Sequence, residues 1–101
     1  MISSPNQIGL VMDADHDHLP HELAPMFSFA DVIITEGFKR GPYPKLEVFR
    51  PEATGDDAPL CRMDPQLLAI ISDATVACKV PVFCLDDIQA VADFLIRYLQ
   101  A

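Results

Sequence analysis

Apolar residues along this chain fall into short runs separated by polar, proline-bearing stretches, and the runs differ in period. Residues 8–12, 32–35, 67–72 and 80–85 are nearly unbroken aliphatic stretches, the pattern of strands buried on both faces. Residues 45–50 alternate polar with apolar after a Gly-Pro-Tyr-Pro turn and predict a half-exposed or edge strand. Four of the five runs end on an acid (Asp13, Glu36, Asp73 or Asp86), as expected where a buried parallel strand emerges into water. Near the end of the chain Ile88, Val91, Ala92, Leu95 and Leu99 recur at helical spacing. Asp86 and Gln89, three apart, resemble a capping box there, and Asp87 suits the first turn. Residues 19–29 predict a weaker helix, because Pro20 fits a first turn while Pro25 disrupts the middle. Residues 51–65 hold three prolines with Gly55, Asp56 and Asp57, and predict a surface loop. Strand-like runs alternating with helices and loops predict an α/β fold with a mostly parallel sheet of four to five strands, in a single domain over residues 1–101.

Composition narrows the function classes. Fifteen acidic against seven basic residues leave a net charge of −8, so the chain lacks the positive field that nucleic acids and anionic membranes require. No apolar run approaches the roughly 18 residues of a membrane span. Residues 1–5 carry neither a basic nor an apolar leader segment, so the expected location is cytoplasmic. Cys61, Cys78 and Cys84 are odd in number and match no zinc or redox spacing, which fits that reducing setting. Phe83, Phe94 and Tyr98 read as aromatics of the core or its margin.

Two segments carry candidate chemistry. In residues 30–40 an aliphatic run delivers Glu36, then Gly37, Phe38 and Lys39. At the carboxyl edge of a parallel sheet such a carboxylate holds magnesium or its water, or orients an attacking water. Gly37 lets backbone approach a ligand closely, Lys39 pairs with phosphate or with an acid, and an exposed Phe38 serves a partner. A strand-end Glu-Gly is equally the composition of an ordinary turn. Asp73 lies at the same sheet edge if the strands are parallel, where it contributes to a base or ribose pocket or simply shapes a turn. The second segment gathers all three histidines with several acids in residues 13–22. Asp13, His16, His18 and His21 form a candidate set for zinc, nickel or iron, weighed against a solvated acidic loop that caps the next helix. No nucleophile–base pair is apparent, so the chain does not read as an enzyme in its own right.

The strings Val-Ile-Ile-Thr-Glu-Gly-Phe-Lys-Arg and Pro-Lys-Leu-Glu-Val-Phe-Arg-Pro resemble the molybdopterin-guanine dinucleotide biosynthesis protein B (MobB) family. The opening Ile-Ser-Ser-Pro-Asn-Gln-Ile-Gly-Leu-Val is similar to a family strand, and Leu-Leu-Ala-Ile-Ile-Ser-Asp, Val-Pro-Val-Phe-Cys-Leu-Asp-Asp and Ala-Asp-Phe-Leu fall where the family has similar strings. The resemblance implies a P-loop NTPase fold that binds GTP with magnesium, a feeble GTPase activity and a homodimer. It also implies a role beside the guanylyltransferase, or a related maturation protein, that attaches GMP to molybdopterin. Carried over, Glu36, Gly37 and Asp73 fall on the nucleotide and magnesium side with Lys39, while Phe38 and Lys45 fall on the partner or phosphate side. The glycines are Gly9, Gly37, Gly41 and Gly55, and none builds G-x-x-x-x-G-K-[ST]. The expectation is therefore a family member truncated at its N-terminus, without first strand, P-loop and first helix. Magnesium and GTP are then implied only if that part is supplied. The expected role is an accessory or adapter protein. The alternatives are a small dimeric protein-interaction module without nucleotide chemistry and, third, a metal binder built on the His/Asp loop.

Overall fold

The computed structural model describes residues 1–37, 41–55, 58–59 and 63–100. The chain divides into two compact units, Met1–Phe38 and Lys39–Ala101.

In the first unit β1 (Ile2–Ser3) and β2 (Ile8–Gly9) form a small antiparallel ribbon. Its turn is closed by the Ser4 N–H donating to the Gln7 carbonyl at 2.8 Å and by the Gln7 N–H donating to Ser4 Oγ at 3.1 Å. The expected parallel strand over 8–12 is thus two residues long and antiparallel. Helix α1 (Pro20–Leu23) opens with Pro20, whose missing N–H is no loss in a first turn. The chain then tightens into a 3₁₀ turn, Ala24–Phe27, because Pro25 cannot donate the bond that would continue the α-helix. The single helix expected over 19–29 is this broken pair. Residues 32–35, expected as a strand, form none.

The second unit holds a three-stranded parallel sheet in the order β3 (Lys45–Val48), β4 (Leu67–Ile71), β5 (Val82–Phe83). Among the described residues the parallel arrangement stands, with three strands in this sheet in place of the four to five expected. Central β4 is bonded on both sides: Phe49 N–H donates to the Ile71 carbonyl at 2.9 Å, and Ser72 N–H to the Phe83 carbonyl at 2.8 Å. Ala69 and Ile70 are fully buried, and Phe49, Leu67 and Ile70 form the core. The opposite wall is an extended connection without a helix. Ala74, Val76, Cys78 and Val80 pack on the core, while the residues between them face solvent. That period of two lets a strand-like crossover cover the sheet, as a helix does in most parallel pairs.

Within the expected loop 51–65, residues Pro51–Thr54 form one helical turn, α2. Pro51 starts it, and Gly55 ends it in the left-handed region at φ 74°, its N–H bonding the Pro51 carbonyl at 2.8 Å. Helix α3 (Ile88–Gln100) forms as the periodicity predicts. Its cap is Asp87, one residue later than expected: Oδ1 accepts the Ala90 N–H at 3.2 Å. Of its apolar face, Val91, Ala92 and Leu95 are half-buried, while Ile88 and Leu99 are exposed. Phe94 packs against Phe83 with ring centroids 5.3 Å apart, but Tyr98 is exposed rather than at the core margin. Among the described residues no helix is long and apolar enough to cross a membrane.

Candidate functional site

In the second unit the carboxyl edge of the sheet carries Ser72 and Asp73 after β4, and Asp86 and Asp87 after β5. Three of these side chains accept backbone N–H groups. Ser72 Oγ accepts the Ala74 N–H at 3.1 Å, Asp73 Oδ1 accepts the Leu85 N–H at 3.0 Å, and Asp87 caps α3. Asp73 therefore ties the end of β4 to the chain leaving β5. Residues 32–35 are not a strand of this sheet, so the shared edge expected for Glu36 and Asp73 is not formed by strand pairing.

Lys45 is buried at the opposite end of the sheet, at the start of β3. Its ammonium meets three oxygens: the Gly41 carbonyl at 2.8 Å, the Tyr43 carbonyl at 3.2 Å and Asp64 Oδ2 at 3.0 Å. An ammonium has three donors, and all three are engaged. Asp64 in turn accepts the Gln66 N–H at 2.8 Å. That backbone bond first, and Lys45 second, hold the Asp64 carboxyl below its usual range. Gly41 makes the turn possible: its φ is 104°, and a Cβ there would stand 2.8 Å from the Tyr43 ring. Lys45 thus clips the Gly-Pro-Tyr-Pro turn to the approach of β4.

In the first unit Glu36 lies on the rim of an open groove of about 310 Å³, lined by α1 residues Pro20 and Leu23, by Phe27, and by Ile33 and Ile34. Gly37 adopts φ 90°, a left-handed conformation with open space where a Cβ would stand. Phe38 and Lys39 lie outside the described residues, as does Cys61.

The His/Asp loop closes on itself. His16 Nε2 lies 2.7 Å from Glu22 Oε2, and His16 Nδ1 lies 2.7 Å from Asp15 Oδ1. The Glu22 bond, more than any other contact, raises the His16 pKa, and the same bond lowers that of Glu22. Glu22 Oε1 also accepts the Leu19 N–H at 3.3 Å, tying the loop to the first turn of α1. The His18 ring stacks on His16 with centroids 3.9 Å apart. Of the four expected ligands, His16 and His18 come together, but Asp13 and His21 are not part of the cluster. Asp15 joins them in the cluster, while Glu22 contacts His16 from outside it. The three-residue spacing of Leu19 and Glu22, that of a side chain reaching back to a helix start, was the signal for Glu22.

Comparison with known proteins adds one positive finding. Residues 1–73 match the family described as molybdopterin guanine dinucleotide synthesis protein B. No curated protein and no solved structure matches the chain. The match takes in the Glu36-Gly37 segment, β3 and β4, and it ends at Asp73, before β5 and α3. With 73 of 101 residues matched, the chain belongs to the molybdopterin guanine dinucleotide synthesis protein B (MobB) family, whose fold is that of the P-loop NTPases.

Proposed function

We propose that this chain acts in molybdopterin guanine dinucleotide synthesis as an accessory component, beside the guanylyltransferase that attaches GMP, and does not itself carry out the transfer. The observation that carries the reading is the family match across residues 1–73. Glu36 and Gly37, with Lys39 and Phe38, are the segment offered to a nucleotide site or partner, and Asp73 is a second candidate on the nucleotide side.

The described residues do not by themselves fit a triphosphate with magnesium. Phosphates need a cradle of backbone N–H groups and a free cation. Here Lys45 is engaged with three oxygens, the sheet edge carries Asp73, Asp86 and Asp87, and no glycine pair in the 101 residues builds the phosphate loop. Such a site therefore needs groups that these residues lack. The reading predicts that titration calorimetry of magnesium-GTP into this chain shows weak binding or none, and micromolar affinity would contradict it. The accessory role is tested by measuring molybdopterin guanine dinucleotide formed by the guanylyltransferase with and without the chain. Yield should rise on addition, and an unchanged yield with no measurable association would end the proposal.

A second reading, a dimeric interaction module without nucleotide chemistry, is favoured by one observation. β3 and β5 are sheet edges, and Ile88, Ile96 and Leu99 of α3 are exposed. Light scattering should then give a dimer, and a stable monomer at micromolar concentration would refute it.

A further inference from the structure

Asp15, His16 and His18 each bring one metal-ligating atom to within 4.8 Å of the others. On a regular strand or helix, adjacent side chains diverge and such a set does not converge. Here the chain bends at Asp15 and His16, and the bend turns the Asp15 carboxylate onto the His16 ring. Glu22 reaches the opposite nitrogen of that ring, while its second oxygen is anchored on the Leu19 N–H. The loop is thus held at its carboxylates and at the start of α1. His18 adds an independent feature: its Nδ1 is buried and has no hydrogen-bond partner among the described residues. A buried ring nitrogen without a partner is unfavourable, and coordination to an ion is one way to satisfy it.

We propose that Asp15, His16 and His18 bind one divalent transition-metal ion of the zinc or nickel kind. Two imidazoles with carboxylates suit that class of ion, whereas magnesium and calcium prefer all-oxygen sets. Asp15 and His16 are exposed, so an ion enters from solvent without opening the fold. Glu22 holds His16 in orientation from the outer side, the usual arrangement of a carboxylate behind a ligating histidine. The site uses none of the residues offered to the nucleotide, so its failure would leave the molybdopterin reading standing, and the reverse holds too.

The test uses the untagged 101-residue chain, stripped with a chelator, titrated with zinc chloride and separately with nickel chloride. One ion per chain should bind, and a cobalt-substituted sample should show the visible bands of a site with imidazole ligands. His16→Ala and His18→Ala should each weaken binding about a hundredfold or more, and Glu22→Gln about tenfold, the scale seen when the outer partner of a ligand is lost. His21→Ala and Asp13→Asn should leave affinity unchanged. Far-UV circular dichroism of each variant separates a lost ligand from a lost fold, and Asp15→Asn, which keeps the side-chain shape, should weaken binding without changing the spectrum. Zinc and nickel affinities both weaker than about 0.1 mM would overturn the proposal. Full binding by the His16→Ala/His18→Ala double variant would also overturn it, as would equal losses in His21→Ala and His18→Ala.

Discussion

Residues 32–35 and 67–72 are near-identical kinds of sequence, aliphatic runs closing on an acid, and they meet opposite fates. The second becomes the central strand of a parallel sheet with Ala69 and Ile70 fully buried. The first is irregular, and Val32, Ile33 and Ile34 are 52%, 43% and 85% exposed. An aliphatic run permits a strand but does not make one. What makes it is a neighbouring backbone to take its N–H and C=O groups, and a wall to cover its side chains. β4 has both: β3 and β5 flank it, and the 74–80 connection lies over its core.

The sharpest way to break this comparison is to shorten one side chain in each run. Ile70→Ala should destabilise the protein by roughly 2–5 kcal/mol, as expected for emptying a packed site. Ile34→Ala should change stability by no more than about 0.5 kcal/mol. Urea unfolding followed by circular dichroism reads both, and equal losses would show that the exposed run is buried in solution.

Next in size is the clip that starts β3. Lys45→Met keeps the buried stem but removes the donor to two carbonyls and a carboxylate, and should cost roughly 1–3 kcal/mol. Tyrosine emission suits the measurement, because Tyr43 and Tyr98 both lie in the second unit and the chain has no tryptophan. No loss in Lys45→Met would return Lys45 to the pool of ligand-binding cations.

Smaller again is the cap of α3. Asp87→Ala should cost about 1 kcal/mol and Asp86→Ala almost nothing, since the bond to Ala90 comes from Asp87. The reverse order, in the same urea series, would restore the cap to Asp86.

The least effect is expected from pH. Asp64 has a carboxyl pKa lowered in the folded chain, chiefly by the Gln66 N–H and then by Lys45. Its contribution to stability is therefore complete above the unfolded carboxylate value of about 4, and is lost as pH falls through the lower folded value. Unfolding midpoints should drop more between neutral and acid pH for the parent chain than for Asp64→Asn. Parallel pH profiles would remove Asp64 from the account.

How much was legible depended on how local the cause was. Helix α3 could be read directly, because a 3.6-residue period and an acidic cap are properties of neighbouring residues. The break of the 19–29 helix was legible in Pro25 for the same reason. The alternate burial of Ala74, Val76, Cys78 and Val80 was equally present, but Thr75, Ala77 and Lys79 between them gave a weak contrast that hid it. In the candidate sites Glu36 and Gly37 were legible as types. The role of Lys45 was not, since its partner Asp64 lies nineteen positions on and is reached only when β3 pairs beside β4.

By itself, then, the order of residues determined the α/β class, the last helix, the acidic balance and the family, each carried by short strings or by simple periodicity. Tertiary structure alone decided which aliphatic run became a strand and which carboxylates met His16. It also decided that Lys45 clips a turn. Strand pairing and the Lys45–Asp64 contact join distant backbone segments, and the bends that turn carboxylates onto His16 depend on backbone geometry that residue types alone do not fix.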